Sequence, residues 1–120
     1  MALTDGDTLL LLHNPRCSKS RAARALLEER GVAFRERRYL EQPLDRKELD
    51  ELRRQLGRPV REWIRSGEGA YREAGLATDA TEAALLDAMV AHPILMERPI
   101  AVRNGRAVVG RPPENVLELV

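Results

Sequence analysis

The sequence predicts an α/β fold in which a mixed sheet is interrupted by a helical insertion. Three features of the chain support this prediction. Residues 9–38 show a strand–helix–strand pattern, residues 45–92 show helical periodicity with no strand signal, and an Asn-Gly turn joins two short apolar segments near the C-terminus. With 120 residues, the chain has the length of one domain with one core.

The N-terminal part of this pattern predicts a parallel β-α-β unit. Residues 9–12 are consecutive leucines, which is typical of a central strand covered on both faces. Residues 18–30 form the predicted helix, which ends at Gly31. We expect Ser18 or Ser20 to cap its N-terminus. The apolar residues at helical spacing are Ala22, Ala23, Leu26 and Leu27.

A second strand over residues 34–38 completes the unit, and a proline-containing loop over residues 39–44 follows it. Asp45 and Glu48 then form a predicted capping box at the start of a helix that ends before Gly57. The apolar stripe of this helix consists of Leu49, Leu52 and Leu56.

The rest of the insertion is less regular. Pro59 is suited to open a short helix that breaks at Ser66-Gly67, and residues 67–79 show no regular pattern. Thr81 is the predicted cap of a further helix, which ends at His92-Pro93. We expect these two helices to bury Val60, Trp63, Ile64, Leu85, Leu86, Met89 and Val90.

Strands return in the C-terminal third of the chain. Residues 100–103 and 106–109 flank Asn104-Gly105, the strongest short-range signal for a β-hairpin. Pro112-Pro113 begins a predicted last helix. The apolar residues of this helix are Val116, Leu117 and Val120.

The order of the predicted elements, β-α-β, helices, β-β-α, is that of a thioredoxin-like fold with a helical insertion. Residues 8–40 and 93–120 would form the core of this fold, and residues 45–92 the insertion. We interpret residues 1–120 as a single domain.

The composition argues against several classes of protein. Apolar residues (43%) and charged residues (32%) are in the range of a soluble globular protein, and a net charge of +1 gives no reason to expect binding to nucleic acid or a membrane. One cysteine cannot form an internal disulfide, and the chain has no His/Cys spacing typical of a metal site. Residues 1–7 lack the basic start of a signal peptide, so we expect a cytoplasmic protein.

The stretch most suited to chemistry is residues 13–21, around Cys17, the one cysteine of the chain. It lies where the first predicted strand turns into a helix, and a helix N-terminus favours thiolate over thiol. Arg16, Lys19 and Arg21 add positive charge around it. Such a turn presents both a nucleophile and backbone N–H groups to an anion.

Two common thiol motifs are absent from this stretch. A phosphatase loop needs an arginine six residues after the cysteine, where this chain has Ala23. A dithiol redox motif needs a second cysteine where this chain has Ser20. We therefore expect Cys17 to act as a single thiol, which requires an external thiol donor to complete a redox cycle.

The pattern His13-Asn14-Pro15, Cys17 and Ser20-Arg21 resembles the active-site loop of the glutaredoxin-coupled, thioredoxin-fold arsenate reductases, the ArsC family. Further segments match that family in the same order and span nearly the whole chain. They are Tyr39-Leu40-Glu41 with Pro43, Ile64-Arg65, Gly75-Leu76, His92-Pro93-Ile94-Leu95, Arg98-Pro99-Ile100 and Gly110-Arg111-Pro112.

The resemblance implies roles for individual residues. Cys17 would be the catalytic nucleophile, His13 would help to activate its thiol, and Ser20 would help to stabilise the thiolate. Pro99 would follow a cis peptide bond. Guanidinium forks suit the oxygens of a tetrahedral oxyanion, and the family's oxyanion-binding arginines fall on Arg65, Arg98 and Arg111.

The resemblance also implies partners. Arsenate or a related oxyanion would be the substrate, glutathione the co-substrate and glutaredoxin the protein partner, with no tightly bound cofactor. A related glutathione-dependent thiol oxidoreductase without arsenate activity would have the same fold and loop, so this alternative stays open. The Spx regulators, which bind RNA polymerase, share the fold, but their usual Cys-x-x-Cys switch is broken here by Ser20. The sequence also leaves two simpler roles open. His13 would be only the last residue of a strand, bonded to the backbone, and Arg65 only a solvated cation at a helix end.

Overall fold

The computed structural model describes residue 3 and residues 7–120, and most of the N-terminal segment from which we expect no signal peptide lies outside these residues. Four strands form one sheet: β1 (Leu9–His13), β2 (Phe34–Arg38), β3 (Ile100–Arg103) and β4 (Arg106–Val109). Their spatial order is β2-β1-β3-β4. β1 and β2 are parallel and the other pairs are antiparallel, so the predicted mixed sheet is confirmed.

β1 is the centre of the molecule, since all five of its residues are buried. Successive side chains of a strand point to opposite faces of the sheet. Leu10 and Leu12 therefore belong to the larger apolar core, whereas Leu9 and Leu11 belong to a smaller core on the opposite face. The prediction of a central strand covered on both faces is confirmed, and β1 ends at His13, next to the turn that contains Cys17.

Helices cover the two faces of the sheet. α1 (Ser18–Glu29) and a C-terminal 3-10 helix (Pro113–Leu119) pack over the smaller core. The larger core lies beneath α2 (Arg46–Leu56), α3 (Gly69–Glu73) and α4 (Glu82–Ala91). No helix within the described residues combines the length and apolarity needed to cross a bilayer.

Local signals in the sequence identify several helix and turn boundaries correctly. The capping box of Asp45 and Glu48 is present, and Thr81 Oγ1 accepts a hydrogen bond from the N–H group of Ala84 at 3.1 Å. Asn104 and Gly105 both have positive φ, at 51° and 77°, and form the two-residue turn of the β3–β4 hairpin.

Three predictions about the insertion are wrong. The segment that begins at Val60 is a 3-10 turn (Val60–Glu62), and Ile64 instead forms an antiparallel bridge with Met96. α3 lies within a stretch expected to be irregular. It escaped detection because it has five residues and no side-chain cap, and contacts of its apolar residues with the larger core hold it in place. Val90, which was predicted to face inward, is 41% exposed. The prediction failed because α4 is apolar on nearly all sides, so its sequence pattern does not show which face is buried.

Two further predictions about helix ends need correction. The N-cap position of α1 is Cys17, rather than Ser18 or Ser20, and it makes no side-chain capping hydrogen bond. The C-terminal helix is a 3-10 helix, whose three-residue period places Pro113, Val116 and Leu119 on its buried side. Val120, which the prediction included in this helix, follows its last residue and is 57% exposed.

Candidate active site

Cys17 lies in the turn between β1 and α1, and an asparagine holds this turn together. The backbone oxygen of Asn14 accepts a hydrogen bond from the N–H group of Cys17 at 3.0 Å, and its side-chain oxygen accepts one from Arg16 at 3.0 Å. The Asn14 side chain is buried. Asn before Pro is a known turn signal, and the tight Asn14-Pro15 turn that it predicts is present.

The electrostatic surroundings of Cys17 favour its thiolate. Partial burial would raise the pKa of the thiol, but the backbone N–H groups of Ser20 and Lys19 and the guanidinium of Arg98 lower it further than burial raises it. The pKa of Cys17 therefore lies below that of an ordinary cysteine. Arg111 adds a contact, because its Nη2 donates to Cys17 Sγ at 3.6 Å.

His13 and Ser20 form a buried pair beside this turn. His13 Nδ1 and Ser20 Oγ are hydrogen-bonded at 2.7 Å, and Ser20 Oγ also accepts from the N–H group of Asn14 at 3.0 Å. Burial lowers the pKa of His13 below its ordinary value, and the nearby arginines lower it too, against the opposing effect of Glu36. A neutral imidazole thus anchors the loop, and direct activation of the thiol by His13 stays a prediction.

Three arginines reach the site from separate parts of the chain. Arg65 follows the bridge residue Ile64, Arg98 precedes β3, and Arg111 follows β4. Arg111 Nε donates to the backbone oxygen of Arg98 at 2.8 Å, which joins the last two segments. The peptide bonds Arg98-Pro99 and Arg111-Pro112 are both cis, and the sequence analysis pointed only to the first of them.

Two carboxylates that the sequence analysis missed lie among these arginines. Glu97 Oε1 accepts from Arg65 Nη1 at 2.7 Å and from the N–H group of Arg98 at 3.2 Å, and it is 3.1 Å from Arg111 Nε. Glu68 Oε2 accepts from Arg65 Nε at 3.1 Å and lies 3.7 Å from Arg98 Nη1. No signal in the sequence marks either carboxylate, because Glu97 meets Arg65 and Arg111 across the fold, and the stretch around Glu68 shows no regular pattern.

Several buried donor atoms in this region have no hydrogen-bond partner among the described residues. They are Arg98 Nε, Arg98 Nη1 and the hydroxyl of Tyr39. Burial raises the pKa of Tyr39 to about 12, so its hydroxyl keeps its proton. Because buried donors are normally satisfied, guanidinium nitrogens that lack a hydrogen bond and lie near the Cys17 thiol indicate a site for an external acceptor such as an oxyanion.

The residues that the structure describes do not form a candidate metal site. No group of three His, Cys, Asp or Glu side chains is arranged there to hold a metal ion. The residues brought together are instead one thiol, three guanidinium groups and two carboxylates, and a thiol beside guanidinium groups is suited to attack on a bound anion.

Comparison with known proteins places this arrangement in a family. The chain matches the model of the ArsC family over residues 12–119. It is 48% identical over 108 residues to an arsenate reductase of Neisseria meningitidis, a match that covers 88% of this chain and 92% of that protein. It is 51% identical over 112 residues to the uncharacterized protein YfgD of Escherichia coli (strain K12), covering 92% of this chain and 94% of the other.

A solved structure agrees with these sequence matches. An arsenate reductase from Vibrio cholerae superposes on this chain with a TM-score of 0.89 and 45% sequence identity, and the match covers 97% of this chain and 100% of that one. Since the family model and the relatives extend over most of its length, with Cys17 and the three arginines inside the matched region, this chain belongs to the ArsC family.

Proposed function

We propose that this chain is an arsenate reductase that uses Cys17 as its nucleophile and Arg65, Arg98 and Arg111 to bind the oxyanion. The observation that carries the proposal is the guanidinium of Arg98, which is largely buried yet has two nitrogens without a hydrogen-bond partner among the described residues. The same guanidinium lowers the pKa of Cys17, so it lies close to the nucleophile. Arsenate reductases among the relatives and solved structures support the choice of oxyanion.

The first step is the attack of the Cys17 thiolate on arsenic. The planar forks of the arginines bind the arsenate oxygens and stabilise the negative charge that develops on them. A sulfur–arsenic bond forms, and one arsenic–oxygen bond breaks, so that its oxygen leaves as water after taking up protons. Because the surroundings of Cys17 lower its pKa, more of this thiol is ionised than of an ordinary cysteine at the same pH.

The remaining steps need a thiol from outside the chain. Reduction of As(V) to As(III) requires two electrons, which two thiols supply when they become one disulfide, and one arsenate oxygen is released as water. Cys17 is the only cysteine, so this chain cannot supply a second thiol. We assign the two electron-donating thiols to glutathione and glutaredoxin. Glutathione would displace a second oxygen as water and bond to the arsenic, and the glutaredoxin thiol would then take up the glutathione as a mixed disulfide, which leaves As(III) bound to Cys17. Water would break this last sulfur–arsenic bond and release arsenite and the free Cys17 thiol. These donors place the reaction in the cytoplasm.

The proposal is tested by an assay of arsenate-dependent NADPH oxidation, coupled through glutathione reductase, glutathione and glutaredoxin. We expect turnover with the wild-type chain, because the arginine-bound oxyanion lies next to a thiolate. We expect none with Cys17→Ser, because a hydroxyl is a far weaker nucleophile at neutral pH.

A matched control uses Arg54→Lys, a change of an exposed arginine in α2, which should leave turnover unchanged. A glutathione mixed disulfide serves as the alternative substrate. If the wild-type chain turns over this disulfide but shows no arsenate-dependent rate, it is a thiol oxidoreductase and the proposed substrate is wrong.

A further inference from the structure

The two carboxylates among the arginines are placed differently. One oxygen of Glu97 contacts Arg65, Arg111 and the backbone N–H group of Arg98 at distances between 2.7 and 3.2 Å. Glu97 thus ties together the three segments that deliver the arginines. Its hydrogen bonds leave Arg98 Nε and Nη1 without a partner in the described chain.

Glu68 instead faces the nitrogens that an oxyanion would use. Its Oε2 hydrogen-bonds Arg65 Nε at 3.1 Å and lies 3.7 Å from Arg98 Nη1, which is within ion-pair distance but too long for a hydrogen bond. An oxyanion bound by Arg98 would therefore lie beside the Glu68 carboxylate. Two neighbouring negative charges repel each other strongly where bulk water is excluded.

The net charge of the site also depends on Glu68. The positive charges of Arg65, Arg98 and Arg111 are offset in part by Glu68 and Glu97. Removal of the Glu68 carboxylate would increase the net positive charge that an incoming dianion meets. Only Arg65 and Arg98 hold the Glu68 carboxylate at the site, since Glu68 occupies the N-cap position of α3 but makes no capping hydrogen bond there.

We propose that Glu68 competes with the oxyanion for Arg65 and Arg98 and so sets the anion affinity of the site, whereas Glu97 is a positioning residue for the arginines. This inference rests on the proposed function, since it presumes that an oxyanion binds these arginines. In the absence of substrate, Glu68 keeps the two guanidinium groups paired. Sulfate forms no covalent bond with Cys17, so it must displace Glu68 through its interactions with the arginines alone.

The test is calorimetric titration of the chain with sulfate and with arsenate, in the absence of glutathione. Glu68→Gln keeps the shape of the side chain and removes its charge, so we expect it to bind both anions at least about tenfold more tightly than the wild type. Glu97→Gln should bind them more weakly, because the arginines lose their common charged partner.

Anions of different charge distinguish competition by Glu68 from a structural change in α3. Sulfate and perchlorate are both tetrahedral, but sulfate carries twice the charge. Glu68→Gln should therefore improve sulfate binding by a larger factor than perchlorate binding, whereas a displaced α3 would affect both alike. Glu73→Gln removes the same charge from an exposed position of α3 and should leave all affinities unchanged.

The outcomes are distinguishable. Unchanged or weaker sulfate binding by Glu68→Gln, together with loss of binding in Arg98→Ala, would overturn the role of Glu68 and leave the proposed function standing. If neither the wild type nor any of these variants bound an oxyanion, the proposed function would be overturned, and the role of Glu68 with it.

Discussion

At the scale of single residues, the surroundings of Cys17 differ from those that its neighbours in the sequence indicate. The sequence analysis pointed to Arg16, Lys19 and Arg21 as the source of positive charge. In the structure, Arg21 Nη1 donates to the backbone oxygen of Pro15 at 2.9 Å and so stabilises the loop. The guanidinium that lowers the pKa of the thiol belongs to Arg98, together with backbone N–H groups at the start of α1. The cation that lowers the pKa of Cys17 is therefore remote in the sequence, whereas the N–H groups that lower it belong to its sequence neighbours, as the predicted helix N-terminus implies.

The lowered pKa of Cys17 gives a prediction about its reactivity. Since its pKa is lowered, Cys17 is more ionised than an ordinary cysteine at the same pH, so the midpoint of its rate–pH profile with iodoacetamide should lie below that of an ordinary thiol. In Arg98→Ala the midpoint of the rate–pH profile should move upward, because a cation that favours the thiolate is lost. Since the chain has one cysteine, mass spectrometry of the alkylated protein reports this site alone. An identical midpoint in Arg98→Ala would contradict the assignment.

At the scale of elements, close packing aligns the segments that carry Arg98 and Arg111. Gly110 follows β4, and its N–H group donates to the backbone oxygen of Pro99 at 2.8 Å. A Cβ atom at position 110 would lie 2.7 Å from Pro99 Cγ and 3.0 Å from Val116 Cγ1. A proline ring cannot rotate away from such a contact, so glycine is required here for steric reasons.

We therefore expect Gly110→Ala to lower the free energy of unfolding by about 1–3 kcal/mol, the usual cost of overpacking. The arsenate turnover of this variant should fall as well, because the strain acts on residues adjacent to Arg98 and Arg111. Denaturant unfolding measures the first effect. The control is Gly67→Ala, whose Cβ would have no atom within 4 Å. Equal stability of the two variants would show that the contact at Gly110 is relieved without cost.

The elements that sequence reasoning recovered are those with strong local signals. The capping box at Asp45, the cap at Thr81 and the turn at Asn104-Gly105 depend on residues only a few positions apart, and all three are present. α3 and the bridge between Ile64 and Met96 were missed, because contacts with distant residues hold them. Glu68, at the start of α3, was missed with them.

At the scale of the whole molecule, the site is assembled from segments that are far apart in the chain. Cys17, Arg65, Arg98 and Arg111 meet through direct contacts or through shared carboxylates. Spacing alone does not reveal such a set in a chain with 20 lysines and arginines. The resemblance to a known family singled out the three arginines, whereas Glu68, Glu97 and the buried Tyr39 hydroxyl needed the three-dimensional structure.

The central claim is that Arg98, with Arg65 and Arg111, presents an oxyanion to Cys17, and the most direct measurement is kcat/KM for arsenate in Arg98→Ala. By analogy with the loss of an oxyanion-hole donor, we predict a fall of about 10²–10³-fold, or about 2.7–4 kcal/mol of transition-state stabilisation. Arg98→Lys should remain impaired, because an ammonium group cannot replace the planar fork. A kcat/KM for arsenate in Arg98→Ala equal to that of the wild type would contradict the account.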